Sequence, residues 1–311
     1  MSVRRAALVP VAAGDLAATR EFYAHRPSGV GAQSLDEVHR ARSAHTAPPA
    51  AGRTSALTIE TGDREVAIRI TLPHRSAITG VHLAIHGGGF YLRPSARDDA
   101  RNERMADALG VAVIGVDYRL APENPWPAAP DDCEAVAHWI IDHAQHRFGT
   151  TRLTIGGMSA GATLTMTTLL RLRDQGSAES FAGAVLEAGT YDLSGATPAG
   201  ATITGEYFIE AYAGHVRDRT IPDISPIFGE VSGLPPTLVV IGTDDVLLDD
   251  NLAMVERLTD AGNNVDLRLY PDVPHGFTGH ATPVATQAQR DIDNWLGGRA
   301  DGHGRGTPGQ E

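Results

Sequence analysis

The stretch LTIGGMSAGA, residues 153–162, decides the fold of this chain. Its first residues read as a short buried strand, and its continuation TLTMTTLL, residues 163–170, reads as a helix packed through small and aliphatic side chains. Between them, Gly157 and Gly161 flank Ser159 in a Gly-x-Ser-x-Gly pattern. Glycines at these positions leave room for a serine in a tight strand-to-helix turn. The pattern therefore predicts a serine exposed at the end of a strand.

The same turn sets the chemistry expected of Ser159. The amino end of the following helix lies beneath the serine, and its free N–H groups, that of Ala160 first, can face negative charge developing on a substrate oxygen. The sequence therefore predicts a nucleophile elbow. Because glycine and serine are frequent in turns, an ordinary glycine-rich turn is the alternative, and support has to come from the rest of the chain.

Composition bounds the class of protein. The chain has 311 residues, of which 42% are hydrophobic and 21% charged, as in ordinary globular proteins, and α/β folds of this length often form one main core. The net charge of −12 disfavours nucleic acid as a partner, because phosphate-binding surfaces carry an excess of lysine and arginine. The sequence has no basic block and no apolar run of about 20 residues, so no membrane partner is expected.

The number of cysteines and the first residues of the chain indicate the cellular compartment to expect. A single cysteine, Cys133, excludes an internal disulfide and fits a reducing compartment. Arg4 and Arg5, followed by the apolar residues 6–13, faintly resemble a signal peptide, but the apolar part is short and contains Pro10. A cytoplasmic location is expected, with secretion as the alternative.

The pattern along the chain predicts an α/β fold. Residues 55–73 alternate apolar and polar side chains around residues 61–63, which predicts an antiparallel hairpin at the edge of a sheet. Downstream, short and nearly continuous apolar strands alternate with helices. Such strands are typical of a mostly parallel sheet that helices cover on both faces.

Segments outside this alternation define the expected domains. The chain divides into an N-terminal helical cap segment, a catalytic domain and a tail expected to be disordered: residues 1–50, 51–296 and 297–311. Within the catalytic domain, residues 193–219 interrupt the alternation and contain the aromatic pair Tyr207 and Phe208. A small helical lid over the active site is the functional interpretation of this insertion, and an irregular surface excursion is the alternative.

A second motif, HGGGF at residues 86–90, directly follows the predicted strand that ends at Ile85. Three successive glycines cost chain entropy, but they let the backbone come close to a ligand and turn its N–H groups inward. The motif predicts an oxyanion-hole loop, with a flexible turn as the alternative.

A serine nucleophile needs a base, and the base needs an acid. Asp244 and Asp245 follow the apolar strand predicted at residues 237–241, and His275 follows the strand at residues 265–270. The carboxyl ends of parallel strands meet at the edge where sites form in open α/β sheets. The other histidines lack the spacing of metal ligands, so neither a metal nor another cofactor is expected.

With these motifs in this order, the chain resembles the hormone-sensitive-lipase-like branch of the α/β-hydrolases, the bacterial esterases with a His-Gly-Gly-Gly motif. The resemblance covers about residues 55–295. The segments that carry it are HGGGF at 86–90, DYRLAPE at 117–123, PWPAA at 125–129, GMSAG at 157–161, DVLLD at 245–249 and HGF at 275–277. It implies an α/β-hydrolase fold, in which the N-terminal helices and an insertion after the sixth strand form a small helical cap.

Carried over position by position, the resemblance implies a catalytic triad. Ser159 would be the nucleophile, His275 the general base and then acid, and Asp245 the carboxylate that orients the histidine. Asp244 would then lie outside the triad, and Asp249 would be structural. The implied oxyanion hole consists of three backbone N–H groups, those of Gly88, Gly89 and Ala160.

The substrate would lie against residues of these motifs and of the insertion: His86, Phe90, Met158, Tyr207 and Phe208. Met158 departs from the family, whose elbow usually reads Gly-Asp-Ser-Ala-Gly. An apolar, flexible side chain stands where a carboxylate is usual, which affects local hydrogen bonding and the shape of the pocket floor. Edge-strand dimers are common in the family, so a homodimer is the assembly that the resemblance suggests.

The function expected is a serine carboxylester hydrolase that acts on small-molecule esters of short to medium chain length through an acyl-enzyme intermediate. An amidase, a carbamate hydrolase or an acyltransferase with the same triad is the main alternative. A non-catalytic receptor or a lyase on a hydrolase scaffold is a further one, which the intact Ser, Asp and His disfavour.

Overall fold

The computed structural model describes residues 8–26, 31–44, 53–62, 64–74, 77–93 and 96–300. Eight strands within these ranges form one sheet: β1 (Thr54–Thr61), β2 (Arg64–Thr71), β3 (Val81–Ile85), β4 (Ala112–Asp117), β5 (Leu153–Met158), β6 (Phe181–Glu187), β7 (Thr237–Gly242) and β8 (Val265–Tyr270). The order across the sheet is β1-β2-β4-β3-β5-β6-β7-β8.

The directions of the strands agree with the sequence pattern. β1 and β2 pair as an antiparallel hairpin, with Thr61 opposite Arg64, and β2 runs antiparallel to β4. All other neighbouring strands are parallel. The predicted α/β class, with a mostly parallel sheet and an antiparallel edge, is confirmed. The homodimer stays a prediction.

Helices cover both faces of the sheet. In the described part of the chain they are α1 (Ala13–Ala24), α2 (Leu35–Ala44), α3 (Ala96–Leu109), α4 (Ala128–Phe148), α5 (Ala160–Asp174), α6 (Pro198–Ala201), α7 (Tyr207–Ala213), α8 (Leu248–Asp260) and α9 (Pro283–Ala300). α4, α5 and α8 pack on one face, and α3 and α9 pack on the other. The last helix continues through residues 297–300, which corrects the expected start of the tail at 297; residues 301–311 lie outside the described part.

The two-sided covering explains why the central strands are apolar throughout. In β7, Val239 packs into the core beneath α5 and α8, whereas its neighbours Leu238 and Val240 pack into the core beneath α9. Each aliphatic side chain buried in this way stabilises the fold by about 1.5–3 kcal/mol. The burial holds the carboxyl ends of β3, β5, β7 and β8 at one edge, where the predicted site residues follow them.

The two segments expected to form a cap both lie near this edge. From α2, Arg42 donates hydrogen bonds to the carbonyl oxygens of Tyr91 (2.7 Å) and Ala121 (2.5 Å) and pairs with Glu123. From α1, the hydroxyl of Tyr23 hydrogen-bonds Nδ1 of His280 (2.9 Å). α6 and α7 form within the insertion that follows β6. A covering role for these segments stays a prediction.

Two buried residues of α8 hold the segment that joins β6 to the insertion. Oδ2 of Asp250 accepts a hydrogen bond from the N–H of Tyr191 (2.5 Å). Asn251 donates from Nδ2 to the carbonyl oxygens of Gly189 and Leu247 (2.8 Å each). Burial raises the pKa of Asp250 to about 6, because the hydrogen bonds from the N–H groups of Tyr191 and Asp192 offset only part of the desolvation of its carboxylate.

Asp250 should therefore make stability depend on pH. Its carboxyl binds a proton more tightly in the folded chain than in the unfolded chain, so its contribution to stability is complete below about pH 4 and is lost as pH rises through 6. Between pH 5 and pH 8, we expect the free energy of unfolding of the wild type to fall by about 1–1.5 kcal/mol relative to that of Asp250→Asn. Urea unfolding of both proteins at both pH values measures this difference, and an equal difference at the two pH values would contradict it.

Candidate active site

Ser159 occupies the turn between β5 and α5 in a strained conformation. Its φ of 55° and ψ of −123° lie where residues other than glycine are rarely found. The N–H of Ser159 donates a hydrogen bond to the carbonyl oxygen of Glu187 at the end of the neighbouring strand β6 (2.8 Å). The turn is thus held by a hydrogen bond to β6, and the helix that follows it is buried from Ala160 to Leu170.

The two glycines around Ser159 are required by close backbone contacts. A Cβ on Gly157 would collide with the carbonyl group of Gly161 and lie 2.7 Å from the carbonyl oxygen of Ile85. A Cβ on Gly161 would collide with that same Ile85 oxygen and lie 2.7 Å from the carbonyl oxygen of His86. The Gly-x-Ser-x-Gly pattern is therefore required because backbone segments from β3, β5 and α5 meet here and leave no room for side chains at Gly157 and Gly161.

A chain of hydrogen bonds links Ser159, His275 and Asp245. Nε2 of His275 lies 3.0 Å from Oγ of Ser159, and its Nδ1 lies 3.0 and 3.1 Å from the two carboxylate oxygens of Asp245. The Asp245 side chain is fully buried and also accepts the N–H of Leu247 (2.9 Å). Because the Asp245 carboxylate accepts a hydrogen bond from Nδ1–H, the proton stays on Nδ1, and Nε2 is free to accept the proton of the serine hydroxyl.

The neighbouring Asp244 points elsewhere. It is exposed, and its Oδ1 lies 3.1 Å from the hydroxyl of Thr243, outside the chain of bonds to His275. Asp249 lies in the first turn of α8, also away from the histidine. The two adjacent aspartates thus occupy different environments, and only Asp245 contacts the imidazole.

The glycine-rich loop presents free N–H groups near the elbow. Gly88, Gly89 and Phe90 have φ values of 107°, 58° and 62°, and the N–H groups of Tyr91 and Leu92 return to the carbonyl oxygen of Gly88. Within the described residues, the N–H groups of Gly88 and Gly89 donate to no acceptor, nor does that of Ala160 at the start of α5. Such donors can stabilise an oxyanion.

His86 is part of the support of this loop. Its ring stacks on that of Tyr118, with 4.2 Å between the centroids, and the Tyr118 hydroxyl donates to the His86 carbonyl oxygen (3.0 Å). Burial lowers the pKa of His86, so its ring is neutral and its Nδ1–H donates to the Gly87 carbonyl oxygen (2.8 Å). The side chain is turned into the protein, so the expectation that His86 contacts substrate is corrected.

Of the three aromatic residues predicted to contact substrate, one is buried in the core and two are half-buried. Phe90 is completely buried and stacks on Tyr212 (3.9 Å between centroids), which corrects its expected place against the substrate. Tyr207 and Phe208 of α7 are half-buried. Phe208 lies against the oxyanion loop, since a Cβ on Gly89 would come within 3.1 Å of the Phe208 Cβ. Phe90 therefore packs against the buried face of α7.

A cleft of about 570 Å³ opens beside His275, and we call it the His275 cleft; Gly88, Met158, His275, Thr278 and His280 are among its lining residues. A volume of this size is usual for a site that takes a small molecule. The sulfur of Met158 accepts a weak hydrogen bond from the Thr278 hydroxyl (3.9 Å). Met158 is thus the predicted substrate-contacting residue that the structure places in this cleft.

The described ranges contain neither a cluster of metal-binding side chains nor a membrane-spanning helix. No three His, Cys, Asp or Glu side chains there are grouped closely enough to hold a metal ion. None of the helices in the same ranges is both long and apolar enough to cross a bilayer. Sequence reasoning missed Arg101 and Glu187, which pair next to the elbow; a charged residue ending a buried strand was the signal that could have identified Glu187.

The chain is similar to known proteins over most of its length. Residues 82–279 match a family model described as alpha/beta hydrolase fold. The carboxylic ester hydrolase LipN of Mycobacterium tuberculosis is 31% identical over 229 residues, which are 68% of this chain and 61% of LipN. An acetyl-hydrolase of Streptomyces hygroscopicus is 30% identical over 221 residues, which are 68% of this chain and 72% of that protein.

The fold has a similar solved structure. A hyperthermophilic esterase from Pyrobaculum calidifontis superposes with a TM-score of 0.77 at 24% identity, covering 94% of this chain and 99% of that one. With the family match over 82–279 and relatives at 30% identity or above, the chain belongs to the α/β-hydrolase family, in its hormone-sensitive-lipase-like branch of carboxylesterase-type hydrolases.

Proposed function

We propose that this protein hydrolyses carboxylic esters of short to medium chain length with Ser159 as nucleophile, His275 as general base and acid, and Asp245 as the residue that orients the histidine. The observation that carries the proposal is the hydrogen-bonded chain of about 3 Å contacts from Ser159 through His275 to the buried Asp245. The free N–H groups of Gly88, Gly89 and Ala160 complete the set of groups that acyl transfer requires.

In the first half of the reaction, Oγ of Ser159 attacks the ester carbonyl carbon while Nε2 of His275 takes the hydroxyl proton. The negative charge moves to the carbonyl oxygen, where the N–H groups of the glycine loop and of Ala160 stabilise it. Collapse of the tetrahedral intermediate breaks the carbon–oxygen bond to the alcohol, which leaves with the proton from His275. The acyl group is then bound to Ser159 as an ester.

In the second half, water takes the place of the alcohol. His275 accepts a proton from the water as its oxygen attacks the acyl carbon, and the same oxyanion donors stabilise the second intermediate. The bond to Oγ of Ser159 breaks, the serine recovers its proton from His275, and the carboxylic acid is released. Asp245 stays ionised throughout and stabilises the imidazolium that forms in each half.

Three observations support short to medium acyl chains. The His275 cleft has a volume of about 570 Å³, which suits a small molecule. The half-buried Phe208 narrows the approach to the oxyanion loop at Gly89. The Streptomyces hygroscopicus relative is named an acetyl-hydrolase.

The purified protein should hydrolyse p-nitrophenyl acetate and butyrate faster than the palmitate ester by about 100-fold or more in kcat/KM, because a long chain cannot be buried beside Phe208 and loses its hydrophobic contribution to binding. Release of p-nitrophenol across a series of chain lengths measures this. The matching p-nitroanilides, which have the same acyl groups on an amide, should react far more slowly. Faster reaction of the anilides would contradict the proposal in favour of an amidase.

A further inference from the structure

Beneath α3, the sheet carries small residues in three adjacent strands: Ala84 in β3, Gly115 in β4 and Gly156 in β5. They leave a cavity of about 40 Å³ between the helix and the sheet, directly behind the elbow. Besides apolar side chains, several polar ones line it, among them His82, His86, Arg101, Asn102 and Glu187. Burying polar groups between a helix and a sheet costs stability, so a role other than packing is expected for them.

An ion pair at this cavity joins α3 to the end of β6. The guanidinium of Arg101 pairs with the carboxylate of Glu187, whose side chain is only 2% exposed. Oε2 of Glu187 and Nε2 of His86 are buried, and the described residues offer them no hydrogen-bond partner. His82 remains neutral there, because burial, with a smaller contribution from the charge of Arg101, lowers its pKa to about 3.

Glu187 is connected to the reacting serine through its own backbone. Its carbonyl oxygen accepts the Ser159 N–H, and its Cα lies in register with that of Met158 on β5. Met158 in turn contacts the oxyanion loop, since a Cβ on Gly87 would be 2.7 Å from the Met158 carbonyl oxygen. Glu187 thus contacts the elbow directly, and it is linked to the loop that supplies the N–H donors through one intervening residue, Met158.

We propose that Arg101 and Glu187 are positioning residues for the proposed ester hydrolysis, and that their ion pair fixes the elbow at Ser159 relative to the oxyanion loop at Gly87–Gly89. The apolar Met158 supplies no charge of its own beside Ser159. The carboxylate of Glu187, which lies in register with Met158 on the neighbouring strand, pairs with Arg101.

The first test is Glu187→Gln, which keeps the shape of the side chain but removes its charge. We expect kcat for p-nitrophenyl butyrate to fall about 10- to 100-fold, because small displacements of reacting groups have effects of this size, while KM changes by less than about twofold. The rate at which an alkyl fluorophosphonate labels Ser159 should fall with kcat, since it reports attack by the serine alone. Wild-type kcat in this variant would overturn the proposal.

Asp293→Asn is the matched control. Asp293 of α9 is buried and pairs with Arg104, the other α3 arginine with a buried carboxylate partner within the described residues, but it is not part of the cavity behind the elbow. We expect this variant to lose stability and to keep kcat. Equal losses of kcat in Glu187→Gln and Asp293→Asn would assign the effect to α3 packing in general and would refute a positioning role.

The double variant Arg101→Met/Glu187→Met separates positioning from stability. Replacing both members of a buried ion pair with apolar residues is often neutral for stability, so the unfolding temperature should recover relative to Arg101→Met alone. The kcat should stay at least about tenfold below the wild type. Recovery of kcat together with stability would show that the pair is structural only. If the wild type hydrolyses no ester, the proposed function fails, whereas the labelling rates still test the pair.

Discussion

Ser159→Ala should reduce ester hydrolysis by a factor of about 10⁴–10⁶ in kcat, the loss typical of removing the nucleophile from a triad. His275 then has no hydroxyl from which to take a proton, and no acyl-enzyme can form. The remaining activity would come from the oxyanion donors and from water bound in the cleft. Release of p-nitrophenol from the butyrate ester, with the purified variant at high concentration, measures the loss.

Two controls make this result specific. Alanine at position 159 removes only one oxygen atom, so the unfolding temperature should stay within a few degrees of the wild type. Labelling by the fluorophosphonate should disappear, because the probe reacts with Oγ of Ser159. Activity that persists in the purified and unlabelled variant would reject Ser159 as the nucleophile.

Asp245→Asn should lower kcat by about 10⁴, the effect that an amide in place of the triad carboxylate has when geometry is kept. Asparagine can turn its NH₂ group towards Nδ1 of His275, which then becomes an acceptor and places the proton on Nε2. A protonated Nε2 cannot take the proton of Ser159, and the imidazolium loses its counter-charge. Steady-state kinetics with p-nitrophenyl butyrate measures the change, with KM expected to change little.

The chain provides a matched control for this variant in Asp244→Asn. Asp244 is next in sequence but exposed and directed at Thr243. We expect Asp244→Asn to retain kcat within about twofold, since surface substitutions away from a site seldom matter. A large loss in Asp244→Asn, with near-normal turnover in Asp245→Asn, would reverse the assignment of the two residues.

Much of the fold and of the site could be predicted because the decisive signals are local. The glycines around Ser159 and the HGGGF loop are backbone requirements, which a few consecutive residues express. The alternation of apolar strands with helices predicts a parallel sheet, and a parallel sheet brings the ends of its strands to one edge. Asp245 and His275 could therefore be assigned to the same place as Ser159 although 116 residues separate the histidine from the serine.

The tertiary structure decided which way individual side chains point. HGGGF does not reveal that Phe90 turns under α7 and stacks on Tyr212, because that contact joins segments far apart in the chain. The same holds for the pairing of Arg101 on α3 with Glu187 on β6, which depends on how the helix lies across the sheet. Short sequence patterns determine local backbone geometry. The partner of a buried side chain depends instead on packing between distant segments, which no short pattern specifies.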